Sequence, residues 1–450
     1  MPHANPLLVL RDLAEPRVYE RELKALVKRH AEPGRKPWSQ SGLLLADWDP
    51  GLCARIAKQL ARDVPRGDYR FGVFTGQRAV IGGKERTLYR ATITDAVVSA
   101  VLARSLRALS EPALSSRVYS YRPGRSALLG VRDFAAFVRA HREAIADPRA
   151  RGLFVLRRDV ARYGESIPVD EASPLWPLLA ELWQASGISA SHPFAQLTEQ
   201  AIRPLIKSDD GGAHRLERGV PTGSPIQPVI CNLYLSELDR SLESLGGGFY
   251  ARYGDDILFA HANQEIATEA SARIERSLAS LGLSLKAEKV VNYYFTGCGR
   301  SAGTAVGTTF IEYLGLRVAF TGAVGLPTHK ARRLLRNLWR RAENTKSLSA
   351  ADGARSLDVV CGAVRAALDV RQPVAEPLAS HLRSAVDDRA QLRHLDYLLA
   401  LGIARRLAGK RGVRAFRKVS YASLRRSGLP SLIQQRNFRR ERGKDEGGAD

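Results

Sequence analysis

Phe249-Tyr-Ala-Arg-Tyr-Gly254-Asp255-Asp256-Ile-Leu-Phe-Ala260 is the stretch on which the reading of the fold turns. Two runs rich in aromatic and β-branched residues flank Gly254-Asp255-Asp256, which predicts a β-hairpin with its polar residues at the turn. A turn that only reverses the chain needs one Asp beside the Gly. Two adjacent carboxylates between apolar strands repel each other, and a divalent cation commonly offsets that cost. A plain Asp-rich turn fits the same twelve residues, so the choice rests on the rest of the chain.

A chain of 450 residues buries a substantial core and is expected to form more than one domain. Its 69 Lys and Arg against 46 Asp and Glu leave a net charge of +23, a field that attracts polyanions, nucleic acid first among them. The excess grows along the chain: residues 405–444 carry many cations and a single acid, Glu441. The four cysteines, Cys53, Cys231, Cys298 and Cys361, form no CxxC pair, so neither a disulfide framework nor a zinc site is indicated. The apolar run at residues 7–10 is too short for a signal peptide or a membrane span, and a cytoplasmic, membrane-free protein is expected.

Residues 69–94 read as strands broken near Gly76 and Gly82-Gly83, and residues 95–109 as a helix through Val98, Val101, Leu102 and Leu106. Residues 119–126 form a loop entering another helix. Residues 152–156 are a short apolar strand running into Arg157-Arg158-Asp159. The apolar spacing from Cys231 to Leu245 predicts one helix before the hairpin, and that from Ile266 to Leu281 another after it, ended by Gly282.

Strand, helix, hairpin, helix, strand is the order of a polymerase palm. Over residues 84–318 the sequence resembles prokaryotic reverse transcriptases of the group II intron, retron and defence-associated lineage. Six ordered motifs carry the resemblance. Arg122-Pro-Gly-Arg-Ser126 resembles the fingers motif. Arg158-Asp-Val-Ala-Arg-Tyr-Gly-Glu-Ser-Ile167 resembles the first metal-binding motif. Gly219-Val-Pro-Thr-Gly-Ser-Pro-Ile-Gln-Pro-Val-Ile-Cys-Asn232 resembles the template and nucleotide motif. Tyr253-Gly-Asp-Asp256 resembles the catalytic hairpin, and residues 283–289 and Tyr313-Leu-Gly315 resemble the two motifs that follow it.

The resemblance implies nucleotidyl transfer with two Mg2+ ions, Mn2+ being able to substitute. Asp159 and Asp255 would bridge the ions, with Asp256 completing the set directly or from behind the ligands and Val160 beside them. Lys289 is expected to protonate the leaving diphosphate, or else to be a surface lysine that screens phosphate. Lys84, Arg86 and Arg90 are expected to meet the incoming triphosphate, against the alternative of a solvated strand face. Arg122 and Arg125 would contact template or triphosphate, or simply pin their loop. Tyr163, Gly164, Pro221, Thr222 and Gly223 complete the expected nucleotide and template surface, Gly223 where backbone must come close to nucleic acid.

Three positions depart from the family. Thr222 stands where Gln is usual, Gln227-Pro228 where Ser-Pro is usual, and Gly164 where an aromatic ring normally crowds a ribose 2′-hydroxyl. On a strand-like path Tyr163 would face away from that place and pack into the palm. The gate is then expected to be open, unless a local bulge swings Tyr163 into it.

The expected architecture is α+β, a right-hand polymerase. It comprises an N-terminal extension (1–66), fingers and palm with an antiparallel sheet plus helices (67–320), a helical thumb (321–400) and a basic C-terminal tail (401–450). In the tail, Arg405, Arg406, Lys410, Arg411, Arg414, Arg417 and Lys418 are the expected nucleic-acid contacts. The expected partners are an RNA template, in particular a structured non-coding RNA, a DNA primer or product, and dNTPs. No stretch resembles an HNH nuclease, a protease or an RNase H domain, which favours a stand-alone enzyme, with antiphage defence as the expected biology. Two other readings stay open at this point: an untemplated or protein-primed nucleotidyl transferase, and a non-catalytic RNA-binding protein on the same scaffold.

Overall fold

The computed structural model describes residues 10–32, 34, 37–81, 83–207, 212–345 and 353–434. They fall into two compact units, Met1–Ala127 with Phe154–Asn292, and Leu128–Leu153 with Tyr293–Asp450. The boundaries read from the sequence at 66, 320 and 400 follow expected roles, whereas compactness divides the chain along other lines. Residues 1–9 and 435–450 lie outside the described residues.

The first unit begins with helices Pro16–His30 and Pro50–Arg66. Each has proline in its first turn, where the missing N–H is no loss. Asp49 caps the second by accepting from the Leu52 N–H at 2.7 Å. Thr92 does the same for helix Ile93–Ser110, accepting from the Asp95 N–H at 3.1 Å. Tyr19, Leu23, Leu60, Val98 and Leu102 from these helices lie in one buried cluster with Leu156, Ile257 and Phe259 of the sheet. Residues 13–64 therefore belong to the core of this unit, each large apolar side chain contributing about 1.5–3 kcal/mol by burial. Strands Thr75–Ile81 and Lys84–Arg90 pair antiparallel, Thr75 opposite Arg90.

Strand Leu153–Asp159 pairs antiparallel with Asp256–His261, and Asp256–His261 in turn with Phe249–Tyr253. Tyr253 is opposite Asp256, so the hairpin loop is Gly254-Asp255 alone and Asp256 belongs to the strand. Gly254 takes φ +63°, a conformation glycine adopts without strain. The helical run before the hairpin is two helices, Gln227–Tyr234 and Ser236–Glu243. It starts four residues earlier than the apolar spacing predicts, because Pro228 suits a first turn.

A buried polar network ties the two helices to the hairpin. Arg252 is fully buried, and its Nε and Nη2 donate to the two carboxylate oxygens of Asp239, each at 2.7 Å. Its remaining donors go to the Asn232 and Gly254 carbonyls at 3.0 and 3.2 Å. The Tyr250 hydroxyl also donates to Asp239. Burial disfavours the charge of Arg252, but Asp239 outweighs that and raises its pKa above the ordinary value.

The second unit holds helix Ala127–Ala144, a parallel pair between Val291–Phe295 and Val306–Thr308, and a three-stranded antiparallel sheet. That sheet contains Phe310–Tyr313 and Leu316–Ala319, joined by Leu314 and Gly315 at positive φ. Helices Thr328–Asn344, Gly353–Leu368 and Arg389–Ala408 follow. Beyond them, part of the expected tail is folded. Leu424, Leu429 and Leu432 are buried, and Asp396 accepts from the Ser431 hydroxyl and the Leu432 N–H, both at 2.8 Å. Truncation near residue 403 would therefore remove core as well as charge.

Removing one member of a buried ion pair leaves the other uncompensated, which typically costs about 3–5 kcal/mol. Asp239→Ala is expected to lower unfolding free energy by about that much in urea denaturation. A variant as stable as the wild type would show that the network is dispensable.

Candidate active site

Strand Leu153–Asp159 carries Asp159 at its end, directly opposite Asp256 on the neighbouring strand, so the two side chains share a face. Asp255 sits one residue away in the turn, and its carbonyl accepts from the Val160 N–H at 3.1 Å. The segment after helix Gln264–Ser280 closes the other side. There the Ser284 carbonyl accepts from the Ala161 N–H at 2.8 Å, and the Lys286 N–H donates to the Asp159 carbonyl at 2.9 Å. Two carboxylates and two ammoniums thus meet at one place, with Asp256 opposite Asp159 on the neighbouring strand. Lys286 Nζ donates to Asp159 and stands 3.5 Å from Asp255, while Lys289 also donates to Asp159. Asp256 faces Arg157 at 3.5 Å.

Burial pushes the Asp255 carboxyl above its ordinary range and Asp256 adds to the rise, opposed by a backbone hydrogen bond, Lys289 and Arg86. A second cation near it would relieve that strain. Among the described residues no group of three or more His, Cys, Asp or Glu is drawn together tightly enough to hold a metal ion. Each carboxylate instead faces a lysine or arginine. The donor set nonetheless fits divalent ions: a single ammonium already spans Asp159 and Asp255, and hard oxygen donors suit Mg2+.

A cavity opens beside Asp255, lined among others by Arg86, Tyr121, Arg162, Gly164, Gln227 and Lys286. Of the expected triphosphate contacts whose side chains are described, Arg86 reaches it and Arg90 does not. The Lys84 side chain lies outside the described residues. Arg90 is directed elsewhere, donating to the Pro37 carbonyl and lying 5.4 Å from the Trp38 ring centre. It lines a separate pocket with Thr222 and Gly223. Arg122 is a loop pin: it is buried, and its donors go to Glu111, the Ser115 carbonyl and the Val118 carbonyl. Arg125 lies over the Tyr119 ring at 5.9 Å.

The path after Asp159 corrects the strand-like expectation. Arg162 takes φ +45° and Tyr163–Ser166 form one helical turn. Tyr163 is buried, and its hydroxyl donates to the Cys231 carbonyl at 2.6 Å. Pro221 is buried, the Thr222 carbonyl accepts from the Tyr89 N–H at 3.0 Å, and Gly223 takes φ +99° on an exposed loop. Val160 is fully buried.

In the second unit, the basic block lies on and beyond helix Arg389–Ala408. Arg406 pairs with Glu343 and stacks over Trp339 at 4.9 Å, which ties it to its own helices. Arg405, Lys410, Arg411, Arg414, Arg417 and Lys418 are exposed. Sequence reasoning passed over Lys286 and gave Gln227 no role. The signal for Lys286 was its spacing: a short helical turn, Ala287–Lys289, places it on the same carboxylate as Lys289.

Residues 82–318, just over half of the chain, match the family described as Reverse transcriptase (RNA-dependent DNA polymerase), and the chain belongs to that family. A Schizosaccharomyces pombe protein, described as an uncharacterized 91 kDa protein in cob intron, is 25% identical over 204 residues. That match covers 44% of this chain and 22% of the relative, so the chain spans about a fifth of the relative's length. Among solved structures, apo telomerase from Candida tropicalis aligns with a TM-score of 0.43 at 14% identity, over 56% of this chain and 55% of that one. Telomerase from Candida albicans, in complex with a fragment of telomeric RNA, aligns with a TM-score of 0.44 at 12% identity, over 79% and 62%.

The internal bonding of Arg122 generates a direct check. Arg122→Ala is expected to lower stability by about 1–3 kcal/mol, through the buried acceptors it abandons, and to leave nucleotide affinity unchanged. A loss of nucleotide affinity with stability intact would return Arg122 to the substrate surface.

Proposed function

We propose that the chain is an RNA-directed DNA polymerase that extends a DNA primer on an RNA template, of the prokaryotic lineage its six motifs resemble. The single observation that carries the reading is the meeting of Asp159 and Asp255 on one ammonium at the mouth of a cavity lined by Arg86, Arg162 and Lys286. Oxygen donors on one side and cations on the other are what nucleotidyl transfer requires.

Asp159 and Asp255 would hold two Mg2+ ions, with Asp256 beside them; when bound, the ions activate the primer 3′-hydroxyl and neutralise the leaving diphosphate. Arg86 and Arg162 hold the triphosphate by charge-assisted hydrogen bonds. Lys289 is placed to give its proton to the diphosphate as it leaves. The buried network under Gly254 fixes the turn, so Asp255 does not have to be ordered at the moment of reaction. The exposed arginines and lysines of residues 405–418 bind the RNA backbone. The RNA is a dedicated structured one and the setting is antiphage defence, both on the strength of the resemblance.

Asp159→Ala and Asp255→Ala are each expected to reduce primer extension to background in Mg2+ or Mn2+, with RNA binding retained in a filter assay. Extension at near wild-type rate by Asp255→Ala would sink the assignment.

For the basic block, the joint variant Arg411→Gln, Arg414→Gln, Arg417→Gln and Lys418→Gln spares the folded core that truncation would damage. It is expected to weaken RNA binding and to flatten the slope of log affinity against log salt by up to about 3. An unchanged slope would make the block a solubilising surface.

A further inference from the structure

The cavity wall beside Asp255 contains a glycine over which a single side chain is laid, so that a larger residue there would have to displace the end of that side chain. A Cβ added to Gly164 would lie 2.6 Å from Gln227 Nε2, 3.2 Å from its Cδ and 3.6 Å from Cys231 Sγ. The backbone of Gly164 is in an ordinary helical turn with no positive φ, so what a side chain there would meet is the amide end of Gln227 and not backbone strain. Glycine in a helical turn costs about 1 kcal/mol relative to alanine, and the packing of Gln227 across it offsets that cost.

Gln227 is held in one orientation. Its Nε2 donates to the Val220 carbonyl at 3.0 Å and to the Thr222 hydroxyl at 3.3 Å. A carbonyl only accepts, so the amide nitrogen must face Val220 and Oε1 is left as the acceptor. Among the described residues Oε1 has no hydrogen-bond partner. The three positions at which the sequence departs from its family, Gly164, Thr222 and Gln227, therefore meet in one contact: the glutamine amide lies over the glycine and bonds the threonine.

The cavity lining is mixed. Arg86, Arg162 and Lys286 are cationic, Glu85, Glu165 and Asp255 are acidic with Glu165 paired to Arg162, and Gly164, Gln227 and Cys231 form an uncharged stretch. A nucleoside triphosphate entering it sets its phosphates against the cations and the Asp159–Asp255 pair. The sugar, which is uncharged and adjacent to the α-phosphate, is left against the neutral wall. We propose that Gln227 is the sugar-selecting residue of this site, filling the space a side chain at 164 would occupy and offering Oε1 as a fixed acceptor to the ribose 2′-hydroxyl. The inference rests on the polymerase reading and deepens it: the site takes ribonucleoside as well as deoxyribonucleoside triphosphates, and residue 227 rather than 163 or 164 decides between them.

The test is single-nucleotide extension with rNTP and dNTP by the wild type and by Gln227→Met, which keeps the volume and removes the acceptor. Gln227→Leu serves if the methionine variant does not fold, as judged by thermal melting. The expected result is wild-type use of rNTPs and a dNTP-over-rNTP discrimination, as the ratio of kcat/KM values, that rises about fivefold in the variant, the factor carried by one neutral hydrogen bond. An unchanged ratio overturns the inference and leaves the polymerase reading standing. So does strong wild-type rejection of rNTPs that is lost in Tyr163→Ala. If the wild type extends with neither nucleotide, the polymerase reading fails, and equilibrium dialysis of ATP and dATP in Ca2+ decides the inference. Binding of ATP at least as tight as dATP, lost selectively in Gln227→Met, upholds it. Equal losses, or no binding of either nucleotide, overturn it.

Discussion

Arg252 has no exposed surface, yet it carries a full charge inside the hairpin, and the position of the candidate catalytic turn depends on how that charge is satisfied. Transferring an ion from water costs several kcal/mol even after the protein relaxes. Two charge-assisted bonds to Asp239 and two to backbone carbonyls meet that cost here. One of those carbonyls belongs to Gly254. The N–H of the same glycine donates to the Ser120 hydroxyl at 2.9 Å, and Ser120 in turn donates to Asn232. Both polar groups of the turn glycine are thereby fixed from beneath by a single connected network. Asp255 follows it in the chain and inherits its position. The network spans the loop at Ser120, the helices before the hairpin and the hairpin itself, so two of the six sequence motifs, those holding Asn232 and Gly254, are coupled through it.

Above that network the balance of charge reverses. Asp159, Asp255 and Asp256 converge, and the cost of their proximity falls to Lys286, Lys289 and Arg157. A carboxylate held by an ammonium is stable in a protein but is not committed to it, because a lysine on a flexible stem moves aside more readily than a backbone does. Asp159 is almost fully buried, while Lys289 is half exposed, so the side chain best able to leave is the one on the solvent side. The same pair of lysines supports the carboxylates, and the exposed one is the one free to move.

Much of the fold was legible because the informative residues act locally. Gly282 takes a positive φ just past the helix it was expected to end, and aromatic runs flank the hairpin turn; each signal resides in the residues it shapes. The three aspartates were singled out by the order of the motifs, and the strand pairing sets Asp159 opposite Asp256 with Asp255 beside it in the turn. The roles of the arginines were not legible, because a guanidinium reaches far and its partner need not lie nearby in sequence. Nothing around Arg122 announces Glu111, eleven residues back, and nothing around Arg90 announces Trp38, contributed by the segment read as an extension. Burial of Leu424, Leu429 and Leu432 was hidden by the density of arginine around them, since net charge masks sparse apolar anchors. The helical turn at Tyr163 was missed because Gly164 reads as a strand irregularity when its packing partner, Gln227, is sixty-three residues away.

That last miss shows why departures from a family are best read together. Taken singly, Thr222 for glutamine shortens a side chain, glutamine at 227 lengthens one, and Gly164 removes one. Each alone would open or crowd the cavity. In three dimensions they compensate: the long amide arises from the helix start at Gln227, crosses the bare glycine and finds the shortened Thr222 and the Val220 carbonyl as acceptors. The side chain that covers this wall comes from the helix start at Gln227 and not from residue 164. An amide reaching in from the helix presents an acceptor where an aromatic ring would present only bulk, and the proposed sugar preference rests on that difference.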